Sequence, residues 1–152
     1  MTYAGVQTKV LTLLQGMSEF DTSNSAESDF RLLAHGKAQY GVILKGATGI
    51  AGKSGQLDAS NGNYEYQRRD DYTVEIHVFR SFTTDVLATR AAVTSLADAV
   101  EAHFDKYPDL DSYSGIIDSR IDVVGEADEW TVGSGTYWRQ VIELKVVELS
   151  TV

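Results

Sequence analysis

Residues 137–149, YWRQVIELKVVEL, constrain the fold more than any other stretch of the chain. Apolar side chains occupy both phases of a two-residue repeat. Trp138, Ile142, Leu144 and Val146 fall on one side, and Tyr137, Val141, Val147 and Leu149 on the other, mixed there with Arg139, Glu143 and Lys145. At about 3.3 Å per residue, such a strand reaches roughly 43 Å. A domain of this length has a radius of gyration of only about 15 Å. The strand is therefore expected to cross the whole body. One helical layer covers one of its faces. The other face needs solvent tolerance or a neighbour, and association supplies a neighbour. This makes Val141 and Val147 candidate partner contacts. The alternative is a self-contained two-layer domain with both helices on one face.

The rest of the chain supplies the partners of that strand. Val6, Val10, Leu13, Leu14 and Met17 recur at helical spacing and predict a helix from about Tyr3 to Glu19. The polar run 21–29, DTSNSAESD, favours turns, because its short polar side chains compete with the backbone for hydrogen bonds. Alternation in AQYGVILKG predicts a strand over 38–46, and DYTVEIHVF over 71–79 is the clearest strand pattern, with Tyr72, Val74, Ile76 and Val78 on one face. Residues 81–107 predict a helix through Val86, Val93, Ala97, Val100 and Phe104. Thr84 is its expected N-cap, and Pro108 ends it by Tyr107. A further β segment is expected at 115–126. Two connections stand out: 46–70, rich in Gly, Ser and Asn, is expected to be a long flexible loop, and 125–136 a second loop. The predicted architecture is α+β in a single domain over 1–152: a mixed or antiparallel sheet of about four strands, two helices packed on one face, in the order α-β-β-α-β-β.

One motif invites a nucleotide. Ala47, followed after four residues by Gly52-Lys53-Ser54, satisfies the relaxed phosphate-loop pattern. A working phosphate loop also needs a helix starting at its Gly-Lys-Ser, whose N–H groups and dipole hold the anion. The following GQLDASNGNYEYQ is poor in interior helix residues and has no apolar stripe to pack. The motif therefore reads as a connection that happens to contain a lysine, and no cofactor is expected. A nucleotide-binding enzyme or regulator built on 47–54 stays as the alternative of a different class, separable by a binding titration.

Other chemistry is sparse. His35, His77 and His103 have no ligand-like spacing, and the chain has no cysteine. The carboxylate pairs, such as Asp70 with Asp71, follow from composition: 22 acidic against 13 basic residues, a formal charge of −9. No Gly-x-Ser-x-Gly elbow surrounds any serine. No catalytic, cofactor or metal residue is expected, and the acidic balance disfavours gripping a phosphate backbone. The first twenty residues read as neither signal peptide nor membrane span.

The run from YTVEIHVFRSF straight into TTDVLATRAAVTSLADAVEAHF, with closure on YWRQVIELKVVEL, resembles the tail terminator, or tail completion, proteins of long-tailed bacteriophages. The resemblance spans nearly the whole chain and is one of pattern. It implies a structural virion protein without an active site, assembled in the host cytoplasm and located in the neck region of the tail. It also implies a ring, usually a hexamer, that caps the tail tube, halts its polymerisation and meets the head-side connector, with DNA passing through unbound. Long loops make the contacts in that family, and 46–70 and 125–136 are the matching segments. Their candidate contacts are Lys53, Gln56, Tyr64, Tyr66, Arg68, Arg69 and Trp130. Another head–tail connector or a tail tube subunit is the nearer alternative.

Overall fold

A computed structural model of the chain describes residues 3–20, 38–57, 64–82, 86–112, 115–132 and 135–151. In order these form α1 (Tyr3–Gln15), β1 (Ala38–Leu57), β2 (Tyr64–Ser81), α2 (Val86–Asp105), β3 (Ile116–Val124), β4 (Asp128–Val132) and β5 (Gly135–Thr151). The expected polar run 21–29 and the N-cap Thr84 lie outside the described residues. Every strand pair is antiparallel. The sheet runs β1-β2-β5-β3, with β4 also on β5. The fold is α+β, as its hydrophobic pattern predicts.

β5 is the spine. One edge pairs with β2 along Tyr137–Thr151 without a register break. The other edge is shared: β3 takes Ile142–Glu148 and β4 takes Gly135–Arg139. Between the two, the Gly125 N–H donates to the Val141 carbonyl at 2.8 Å and keeps the chain on the same edge. A Cβ at Gly125 would lie 3.0 Å from that carbonyl oxygen, so a larger residue would push the two backbones apart by a few tenths of an ångström.

The even residues of β2 and β5 face the helices. Val74, Ile76 and Val78 from β2 and Ile142, Leu144 and Val146 from β5 are fully buried, together with Val6, Val10 and Leu14 of α1 and Val93, Ala97 and Val100 of α2. Both helices thus cover one face of the sheet. Each large apolar side chain sealed there contributes about 1.5–3 kcal/mol relative to exposure. Two polar contacts fix the layer. The His103 ring donates from Nε2 to the Leu13 carbonyl at 2.9 Å, tying α2 to the end of α1, and the Ser119 hydroxyl donates to the Tyr107 carbonyl at 2.9 Å, tying β3 to the turn after α2. That turn is tight: Leu110, Asp111 and Ser112 have φ of 52°, 60° and 60°, and Leu110 is fully buried. Left-handed non-glycine backbone costs of order 1 kcal/mol per residue, and burial of Leu110 offsets it.

Two expectations need correction. Residues 46–70 are not a loop, because β1 continues to Leu57 and β2 begins at Tyr64, making one long hairpin whose connection, 58–63, lies outside the described residues. The polar, glycine-rich sequence hides this because its strand character comes from the partner ladder rather than from its own side chains. The register also shifts between Leu44 and Gly46 and between Ile50 and Ser54, and each bulge breaks the alternation a reader would follow. Likewise 125–136 contains β4, held by Trp130 opposite Tyr137 and Asp128 opposite Arg139.

Candidate functional site

The phosphate-loop residues fall inside β1. Ala47 to Gly49 pair in register with β2, and the chain resumes pairing at Ser54 opposite Gln67. Lys53 sits in the bulge between Ile50 and Ser54. Beyond Ser54 the backbone continues as strand to Leu57, so no helix N-terminus is aimed at Lys53. The N–H cradle that would hold phosphates needs that helix.

The proposed contact residues divide by position. Lys53, Gln56, Tyr64, Tyr66 and Arg68 lie on the β1–β2 hairpin by backbone register, and their side chains lie outside the described part of the structure. Arg69 is exposed and donates from Nε to Asp71 at 3.1 Å. It pairs across to Leu149, which puts it beside Val147 on the sheet face away from the helices. Val141 shares that face, opposite His77, and both valines are half-buried. Trp130 is separate from this group. It stands opposite Tyr137, ten positions from Val147 along β5, or about 33 Å.

Trp130 belongs instead to an aromatic cluster that sequence reasoning missed. Phe79, fully buried on the face opposite the helices, has its ring centroid 5.4 Å from Trp130 and 5.6 Å from Tyr137, both edge-to-face. Arg139 lies over Trp130 at 5.2 Å and pairs with Asp128 at 3.0 Å. Alternation placed Phe79 on a polar face with Thr73, Glu75 and His77. Only the register brings Tyr137 and Trp130 beside it. Farther along the same face, Lys145 donates to the Thr73 hydroxyl at 2.8 Å, and His77 Nε2 lies 2.9 Å from Glu75 Oε1.

A second unanticipated feature occupies the helix face at the same end of the sheet. Arg80 and Trp138 are direct cross-strand partners, and Gln140 is the next residue of β5 on that face. Arg90, reaching from α2, lies 5.4 Å from the Trp138 ring centre, and Phe82 lies 6.0 Å from it. Arg80 Nε, Trp138 Nε1 and Gln140 Oε1 are buried without a hydrogen-bond partner. Buried polar atoms normally find partners. Val86 and Leu87, on the adjacent first turn of α2, stay exposed, Leu87 by 77%.

Elsewhere Ile117, Val123 and Val124 are exposed on β3, and a cleft of about 310 Å³ opens between the C-terminal ends of the helices, lined by Met17, Glu19, His103 and Lys106 among others. Among the described residues no cluster of three or more His, Asp or Glu side chains is arranged to hold a metal ion, and no helix is long and apolar enough to cross a membrane. Neither a protein-family model nor a curated protein sequence matches the chain.

Proposed function

We propose that the protein is a structural subunit of a long-tailed bacteriophage, a tail terminator whose ring caps the tail tube, stops its growth and joins the tail to the head-side connector. The observation that carries this reading is the projecting hairpin. β3 ends at the row formed by Asp70, Glu148 and Ile116, and β5 stays paired with β2 as far as Thr151 opposite Gln67. Beyond Gln67, among the described residues, β2 continues from Tyr66 to Tyr64 with β1 alone beside it, paired from Gly55 to Leu57. Three residues of strand extend about 10 Å. A two-stranded ribbon is at most marginally stable by itself, so it suits contact with another molecule. The β1–β2 hairpin as a whole carries Lys53, Gln56, Tyr64, Tyr66, Arg68 and Arg69, the residues expected to meet tube or connector.

Two further features agree with this role. The half-buried Val141 and Val147 give the face opposite the helices an apolar component that a neighbouring subunit covers. The net charge of −9 suits a ring through which DNA passes without adhering.

The test is negative-stain microscopy of the purified protein with its tube protein. The reading expects single rings, about six subunits each, at tube ends, and deletion of the gene should leave tails of abnormal length unable to join heads. Long stacks of this protein alone would make it a tube subunit instead. Normal tails and full infectivity after deletion would remove it from the tail altogether.

A further inference from the structure

α2 carries Arg90 in its second turn and Asp105 as its last residue, both of the sign its own dipole disfavours, while His103 and Lys106 beside Asp105 have the favoured sign. A helix favours acidic groups at its N-terminus and basic groups at its C-terminus. Here Arg90 is the fifth residue, and Asp105 is the last, followed by Asp109 and Asp111 in the strained turn. Arg90 and Asp105 are exposed, as is Asp111, whose side chain is 59% accessible even while paired with Lys9 at 3.6 Å. Each arrangement weakens the isolated helix slightly. Both become favourable when opposite charge from outside approaches.

The N-terminal end has the features of a docking surface. Arg80 and Arg90 flank Trp138 in a chain whose net charge is −9, and Leu87 is the most exposed of the large apolar residues described. Interface centres favour Arg and Trp for this reason: each combines apolar area with directed N–H groups. Arg80 Nε, Trp138 Nε1 and Gln140 Oε1 are buried at this end without hydrogen-bond partners, so they meet a docked group only when Arg80 or Trp138 turns outward.

We infer that the basic, apolar end of α2 in one copy docks on the acidic end of α2 in a second copy, through Arg80, Leu87, Arg90 and Trp138 on one side and the carboxylates of Asp105, Asp109 and Asp111 on the other. The occupant follows from charge complementarity, since the acidic end supplies what the basic end lacks. A 20-residue helix is about 30 Å long, so the two surfaces lie at opposite ends of the subunit. Contact between unlike ends runs head to tail, and it closes into a ring when the rotation between copies allows. The inference rests on the proposal that copies associate, and it names the surfaces.

The test measures association of the full chain by sedimentation, with and without tube protein. Arg90→Glu and Asp105→Lys both place charges that suit the helix dipole, so α2 should keep its circular dichroism and its melting temperature. Each alone should weaken association by roughly tenfold or more, and both in one chain should restore it to within about threefold. Leu87→Ser, at an exposed site, should weaken association without charge reversal. High salt should weaken association of the unchanged chain. If the unchanged chain associates and all three single variants associate equally well, the surfaces are wrong while the ring reading stands. If the unchanged chain stays monomeric even with tube protein, both fail.

Discussion

The two faces of the sheet are built from the same two strands and solve the same problem differently. On the helix face, β2 and β5 present aliphatic side chains to a continuous layer from α1 and α2. On the other face the same strands bury Phe79 and Tyr137 at one end, against Trp130, and leave Thr73, Glu75 and Lys145 half-buried along the middle. The first face is sealed by a separate layer of structure, and the second by side chains lying down on their own sheet. The difference teaches that a two-phase apolar strand need not have two full cores. On that face Val141 and Val147 stay partly exposed, whereas Phe79 and Tyr137 are buried.

Substitutions should separate the faces by size of effect. The largest change is expected from Phe104→Ala, which empties a fully buried site under both helices; about 3–5 kcal/mol of stability should be lost, measured by urea unfolding. Phe79→Leu keeps most of the buried volume and removes two edge-to-face ring contacts, so about 1–2 kcal/mol is expected. If it costs as much as Phe104→Ala, the second face holds a core of its own. Ser119→Ala removes the hydroxyl that ties β3 to the turn after α2 and should cost about 1 kcal/mol. Val141→Lys and Val147→Lys, at half-buried positions of the open face, should change stability least, within about 1 kcal/mol, yet weaken association measured by light scattering. Equal association by both lysine variants and the unchanged chain would mean that this face meets only solvent. Lys53→Ala should leave folding unchanged, and no micromolar ATP binding should be present for it to abolish; calorimetric titration decides.

Legibility varied along the chain for physical reasons. Val93, Ala97, Val100 and Phe104 of α2 and the even face of β2 were readable, since a regular period reports one buried face directly, whereas Val86, read in the same stripe, is exposed at the first turn. β1 beyond Gly46 was not, since its extended backbone depends on a ladder with residues farther along the chain, from Thr73 opposite Gly46 to Tyr64 opposite Leu57, and its two bulges reset the alternation. β4 was hidden likewise in a short acidic segment. Of the contact candidates, Val141 and Val147 sit on the face that alternation assigned them, and Trp130 does not belong to a loop. The Arg80–Trp138–Arg90 group could have been half seen: Arg80 follows Phe79 in a strong strand, but nothing in the sequence announces that Trp138 lies opposite.

What the sequence by itself determined is the set of elements with strong internal periods: two amphipathic helices, the β2 core and a final strand long enough to organise a sheet. Those properties depend on residues three or four apart in a helix and two apart in a strand, so they are written locally. Only the tertiary structure decided the register. Pairing β2 and β5 without a break set Arg80 against Trp138 and Phe79 beside Tyr137, and pairing β1 with β2 converted a glycine-rich connection into a long hairpin. A one-residue slip would exchange every one of those neighbours, which is why no local pattern could have named them.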